Sequence, residues 1–169
     1  MTTCTQHGNI TNKILSVIGR YSHTESHTGL RIAECVKVYS EQYKLPYMVV
    51  SRLIETESRF KQFAYNSGSE ARGLGQIVDY HWRYSMWHID DGKLGKYLNE
   101  NNYTNIERLK RYYYRIGYAT EMTCFALDAC RKIAKGDLAE GLYIYGGGRS
   151  RGACQNHMED YTNYIVSGN

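Results

Sequence analysis

Two glutamates stand two residues apart in the run Leu53-Ile54-Glu55-Thr56-Glu57-Ser58-Arg59-Phe60, and a glycine-rich stretch from Ser67 to Ile77 follows. Pro46 suits the first turn of a helix, where its missing N–H would be unpaired anyway. From there Tyr47-Met48-Val49-Val50-Ser51-Arg52-Leu53-Ile54 reads as a short helix that is apolar on one side. At about 100° per residue, Val50, Leu53, Ile54 and Glu57 share one stripe about 100° wide. Glu55 lies about 200° from Glu57 on the same wheel and is expected to meet solvent. A carboxylate on an apolar stripe loses water, which raises its pKa and lets it carry a proton near neutrality. Such a group can act as a general acid. The ordinary fate of a glutamate at this spacing is an ion pair or a half-exposed place at a frayed helix end.

The residues on either side favour the acid. Leu45-Pro46, Glu57-Ser58-x-Phe60, Ala64, Ser67, Ala71 and Gly73-Leu74-Gly75-Gln76-Ile77 occur in that order. Together they resemble the lytic transglycosylases of the soluble-transglycosylase type, relatives of goose-type lysozyme. Further on, Tyr143-Ile144-Tyr145-Gly146-Gly147-Gly148-Arg149 resembles that family's Tyr-Asn-Ala-Gly motif. Either Tyr143 or Tyr145 can be its tyrosine, and in both registers the asparagine is missing. The closing Tyr161-x-x-Tyr164-Ile165 resembles the helix that ends many such domains. The resemblance spans about Leu45 to Ile165.

It implies an all-α, single compact lysozyme-like helical domain, with a cleft at the end of the catalytic helix. It also implies Glu57 as the catalytic acid, with Ser67, Gly73, Gln76 and Tyr143 or Tyr145 against the substrate. Small residues let backbone approach a ligand, and the Gln76 amide offers both a donor and an acceptor. Most glycosidases use two carboxylates at a set separation. No convincing second one stands here, because Glu55 is expected to point away, Glu70 falls in the loop and Asp79 lies past the glutamine. A lone acid is what the family uses. Glu57 would protonate the oxygen between N-acetylmuramic acid (MurNAc) and N-acetylglucosamine (GlcNAc). It would then deprotonate the MurNAc C6 hydroxyl, giving a 1,6-anhydro end. The alternatives are a hydrolytic muramidase, with Glu70 or Asp79 positioning water, and a non-catalytic virion or secretion-channel component that binds cell wall.

Several elements must position these groups. A first helix beginning near Asn9 or Thr11 carries Ile10, Ile14, Val17 and Ile18, after a loose leader over residues 1–8. Residues 22–29 read as loop, and a second helix runs from Leu30 to Tyr43 with Leu30, Ala33, Val36, Tyr39 and Tyr43 inward. Phe60 to Arg72 is too polar for a regular element, and Gly73–Ile77 opens a helix toward Trp82 and Tyr84. Residues 85–105 resemble an insertion rich in turn signals. Helices follow at about Ile106–Ile116, at Tyr118–Lys135 with Met122, Phe125, Ala126, Ala129 and Ile133 inward, at Leu138–Tyr145 and at His157–Val166. One domain covers residues 1–169, with residues 1–44 as an N-terminal extension and residues 45–165 as the catalytic region.

The chain has 169 residues, a net charge of +4 and 17 tyrosines against 3 phenylalanines. A pI near 8.7 and a mean hydropathy of −0.57 go with a mildly basic, polar chain. That charge suits an anionic polymer such as peptidoglycan without suggesting a nucleic-acid binder. The stretch Arg108 to Arg115 interleaves charge with aromatics, yet it reads better as an amphipathic helix. No apolar run is long enough to span a membrane. Five cysteines without framework or zinc spacing read as reduced thiols, and His23-x-x-x-His27 lies in loop sequence. No metal and no cofactor are expected. The first residues have no signal-peptide pattern. The expectation is a phage-encoded enzyme made in the host cytoplasm, associated with other virion or tail proteins, and acting on glycan strands in the periplasm or wall.

Overall fold

The computed structural model describes residues 3–78, 112–146 and 155–168. Among them are six α-helices: α1 (Thr3–Ile18), α2 (Ser26–Gln42), α3 (Tyr47–Ser58), α4 (Ile116–Ile133), α5 (Leu138–Tyr145) and α6 (Gln155–Ser167). A two-residue antiparallel hairpin, β1 (Tyr65–Asn66) and β2 (Ala71–Arg72), pairs Tyr65 with Arg72 and Asn66 with Ala71. A 3₁₀ turn, Tyr112–Tyr114, leads into α4.

The central helix is α3. It packs against α1, α2, α4 and α6, so its apolar residues are covered on more than one side. Val50, Leu53 and Ile54 are wholly buried, and each contributes about 1.5–3 kcal/mol by leaving water. Around them lie Ile14, Val17 and Ile18 of α1, Ile32 and Val36 of α2, Leu127 of α4, Leu142 of α5 and Ile165 of α6. Phe60 and Leu74 close the same core from the segment after α3. The molecule is all-α apart from the hairpin, in keeping with a single compact lysozyme-like domain. Among the described residues no helix is long and apolar enough to cross a membrane.

Several boundaries differ from the sequence reading. α1 begins at Thr3, inside the supposed leader, and α2 begins at Ser26, four residues before Leu30. Gly29 explains the second shift. It is buried, and a Cβ there would come 3.2 Å from the Ile18 side chain, so a glycine lets α2 start close against α1. Leu30 (42% exposed) and Ile133 (50% exposed) face outward instead of inward. Tyr112–Tyr114 is 3₁₀ rather than α-helix, and α4 starts at Ile116, two residues earlier than expected. The expected helix start at Gly73 is instead a tight turn, closed by reciprocal backbone hydrogen bonds between Arg72 and Ile77 at 3.2 and 3.1 Å. The 85–105 insertion, residues 106–111, Trp82, Tyr84 and the glycines 147–148 lie outside the described residues.

α3 ends abruptly. The Arg59 N–H donates to the Glu55 carbonyl at 2.8 Å while Arg59 itself adopts φ 51°, ψ 39°. That left-handed cap favours glycine, and a residue with a Cβ holds it at a cost of about 1–2 kcal/mol. Arg59 is exposed. Arg59→Gly should therefore stabilise the fold by about 0.5–1 kcal/mol, the relief exceeding the added chain entropy. Urea denaturation of the two proteins measures it.

Candidate functional site

Glu57 occupies the last turn of α3, next to Ser58, the final helical residue. Its carboxyl is largely removed from water, and the Tyr161 hydroxyl, from α6, donates to its Oε1 at 2.5 Å. Burial pushes the Glu57 pKa up to about 7, and the Tyr161 hydrogen bond pulls in the opposite direction. Desolvation wins because one neutral donor replaces only part of the hydration a carboxylate loses. Burial, and after it the proximity of Glu57, raises the pKa of Tyr161 far above its ordinary value, so the phenol stays a donor.

Tyr145, at the end of α5, adds a second phenol. Its hydroxyl donates to the Gly75 carbonyl at 2.7 Å. Burial first, and the Glu57 charge second, push its pKa well up. α5 is set by Asp137, whose side chain accepts from the Glu140 N–H at 3.0 Å as an N-cap. Of the two candidate tyrosines, the structure thus brings Tyr145 to the glycine segment. Tyr143 lies half-buried on α5, about 200° round the helix from Tyr145.

The glycines of the turn are required by packing. A Cβ on Gly75 would sit 2.0 Å from Thr123 Oγ1 and 2.8 Å from the Tyr145 hydroxyl. On Gly73, at φ +72°, it would sit 2.1 Å from the Tyr113 carbonyl oxygen. The turn is therefore seated on the 3₁₀ turn, α4 and α5. Gln76 has φ 48°, and its side-chain amide donates to the Gly73 carbonyl at 3.1 Å. Its amide oxygen remains the acceptor of that side chain. Ser67 is exposed at the hairpin turn, where the Asn66 side chain accepts from the N–H groups of Gly68 and Ser69 at 3.0 and 3.3 Å.

Glu55 does not meet solvent. It is 4% exposed because α1 and α6 cover the side of α3 that the helical wheel assigns to water. Tyr21 donates to its Oε1 at 2.9 Å and Tyr164 to its Oε2 at 2.5 Å. Arg20 stands 3.5 Å from Oε1. Tyr161 and Tyr164, one turn apart on α6, thus each bond a different glutamate of α3. Tyr161 was noted in the sequence only as part of a closing helix, and its pairing with Glu57 depends on how α6 docks. Arg52 helps fix that docking, with its Nη1 donating to the carbonyls of Ile165 and Val166 at 3.3 and 3.0 Å.

Among the described residues no group of three or more His, Cys, Asp or Glu side chains could hold a metal ion. His27 lies in the first turn of α2, not in loop. Cys35 and Cys124 are free thiols, whereas Cys4 and Cys154 fall where no side chains are described.

A carboxyl whose pKa burial pushes up to about 7, two phenols whose pKa values are raised and a tight turn beside them stand together at the end of a buried helix. Residues 34–117 match the family model described as the Transglycosylase SLT domain. The match supports the lytic transglycosylase family and indicates, in general terms, an enzyme acting on peptidoglycan. It includes Glu57, Ser67, Gly73 and Gln76, while Tyr145 and Tyr161 lie beyond it. No curated protein and no solved structure matches the chain.

Two predictions follow from the Glu57 environment. Its folded pKa of about 7 lies above its ordinary value of 4.5, so the folded chain binds this proton more tightly than the unfolded one. That contribution is complete below about pH 4.5 and is lost as pH rises through about 7. Glu57→Gln, uncharged at every pH, should match the wild type at pH 4. At pH 8 it should be more stable by about 1–3 kcal/mol, read from urea denaturation. Tyr161→Phe removes the hydrogen bond that holds the pKa down. Carboxyl-carbon NMR should then show Glu57 titrating above its wild-type midpoint.

Proposed function

We propose that this chain cleaves the β-1,4 bond between MurNAc and GlcNAc, with Glu57 serving first as acid and then as base. The observation that carries the reading is the Glu57 carboxyl itself: desolvated, held by Tyr161 and titrating at about 7. A single group can give a proton and take one back only if its pKa lies near the working pH. Protonated Glu57 delivers its proton to the glycosidic oxygen as that bond breaks. The resulting carboxylate accepts the proton of the MurNAc C6 hydroxyl while its oxygen bonds to C1. A 1,6-anhydro end forms and no water is consumed. Tyr161 orients the carboxyl and steadies its charged form between the two transfers.

In this reading Tyr145 is the motif tyrosine, because its hydroxyl joins α5 to Gly75 beside the acid. Gln76 offers its amide oxygen to the sugar, with Gly73 shaping the turn and Ser67 supplying a hydroxyl from the rim. Glu55 takes no part in the chemistry, since its carboxylate already accepts from Tyr21 and Tyr164. The setting we propose is local opening of the cell wall by a phage virion, with other virion or tail proteins as partners. The net charge of +4 favours approach to an anionic wall.

Digestion of purified peptidoglycan followed by mass spectrometry of the muropeptides tests the reaction. Products lighter by one water than hydrolytic ones are expected, and intact reducing-end MurNAc would instead identify a hydrolase. Glu57→Gln should lower cleavage by about 10²–10⁴-fold or more while leaving the helical circular dichroism intact. For the wild type, cleavage should fall as pH rises above about 7, because the first step needs the protonated acid.

A further inference from the structure

The segment joining Glu57 to the glycine turn carries two large rings in water. Phe63 is 72% exposed and Tyr65 is 51% exposed. An exposed phenylalanine gains nothing for the fold from its position, and Phe63 is the most exposed large hydrophobic among the described residues. Both rings are nonetheless held. Phe63 lies against Tyr114, ring centroids 5.8 Å apart and planes at 45°. Tyr65 has the Arg72 guanidinium over one face, 5.0 Å from its centroid. Arg72 is itself fixed by donating from Nη1 to the Glu70 carbonyl at 2.9 Å.

The backbone beneath the rings is equally fixed. Gln62, just before Phe63, donates from its side-chain amide to the Tyr114 carbonyl at 2.8 Å. Ala64, between the two rings, accepts the Gly73 N–H at 2.9 Å. The rings therefore stand on the same strut that joins the acid to the glycine turn, and their positions are coupled to it.

We infer that Phe63, Tyr65 and Tyr114 form a saccharide-binding platform that stacks a pyranose ring of the glycan strand beside the Glu57 site. This rests on the peptidoglycan reading above and adds a subsite to it. A pyranose presents a flat C–H face with a polar rim, and a rigid aromatic ring offers a matching apolar surface at little entropic cost. Lys61, Asn66, Ser67 and Ser69 around the rings are exposed and polar, and they can meet hydroxyl and acetamido groups at the sugar's edge. The apolar surface is confined to the rings. That suits a sugar, whereas a docked protein favours a broader apolar patch.

The test uses Glu57→Gln, so that nothing is cleaved, and soluble glycan strands freed of their peptides as the probe. Binding is measured by calorimetry and by amide chemical shifts. Adding Phe63→Ala should weaken binding by about 3- to 10-fold, and Phe63→Trp should restore it. Unchanged circular dichroism is expected, since the side chain lies in water. Equal affinity of the Ala and Phe proteins, or shifts that bypass residues 61–66 and 112–114, would overturn the platform. Cleavage by the wild type is assayed separately. Phe63-dependent binding without any cleavage would keep the platform and remove the enzymatic reading. Cleavage with Phe63-independent binding would do the reverse.

Discussion

The desolvation of one carboxyl is the constraint on which the site depends. Glu57 sits at the end of a helix whose neighbours Leu53 and Ile54 are wholly buried, and its paired donor is a neutral phenol. Water removal favours the protonated form, and a neutral hydrogen bond opposes it only in part. The balance pushes the pKa up to about 7.

Glu55 is a second buried glutamate on the same helix, with different partners. It is more buried than Glu57, yet it accepts from two phenols and has the Arg20 guanidinium 3.5 Å away. A buried charge with a cation and several donors is compensated and becomes part of the scaffold. Here it ties α6 and the turn that follows α1 to α3. The two glutamates are alike in sequence and are separated in role by what α6 and α1 bring to them. Because Tyr164 anchors α6 to Glu55 one turn from Tyr161, Glu55 helps hold the phenol that bonds Glu57.

Much of this was legible in the chain. The stripe of Val50, Leu53, Ile54 and Glu57 put the acid on the buried side, and the apolar spacing of α1 through α6 gave the helices. The error at Glu55 has a definite cause. A helical wheel assumes one wet face, and α3 has none wide enough, being packed by four other helices. The start of α2 was misread because Ser26, His27, Thr28 and Gly29 have loop-like composition, whereas tertiary contact with Ile18 overrides it. The pairing of Tyr161 with Glu57 spans 104 positions, and no local pattern encodes so distant a contact. The glycines of the turn were read as openings for a ligand. Their Cβ directions are filled by Thr123, Tyr145 and Tyr113, so their first service is to seat the turn.

Backbone strain is concentrated between the end of α3 and the glycine turn. Of the six non-glycine residues with positive φ among the described residues, four (Arg59, Phe60, Glu70 and Gln76) lie in the eighteen-residue span from Arg59 to Gln76. Each costs about 1–2 kcal/mol relative to ordinary helical or extended backbone. Such a sequence persists only if the surroundings over-determine it, and they do. Phe60 is 1% exposed in the core, the Arg59 N–H is bonded to Glu55, and the Gln76 amide closes on Gly73. The two left-handed residues after Ser58 turn the chain sharply away from α3, so the helix ends one residue past the acid. The Glu57 carboxyl, one residue before that end, is held from α6 by the Tyr161 hydroxyl, so the strained segment fixes where α3 stops and the hairpin and glycine turn begin.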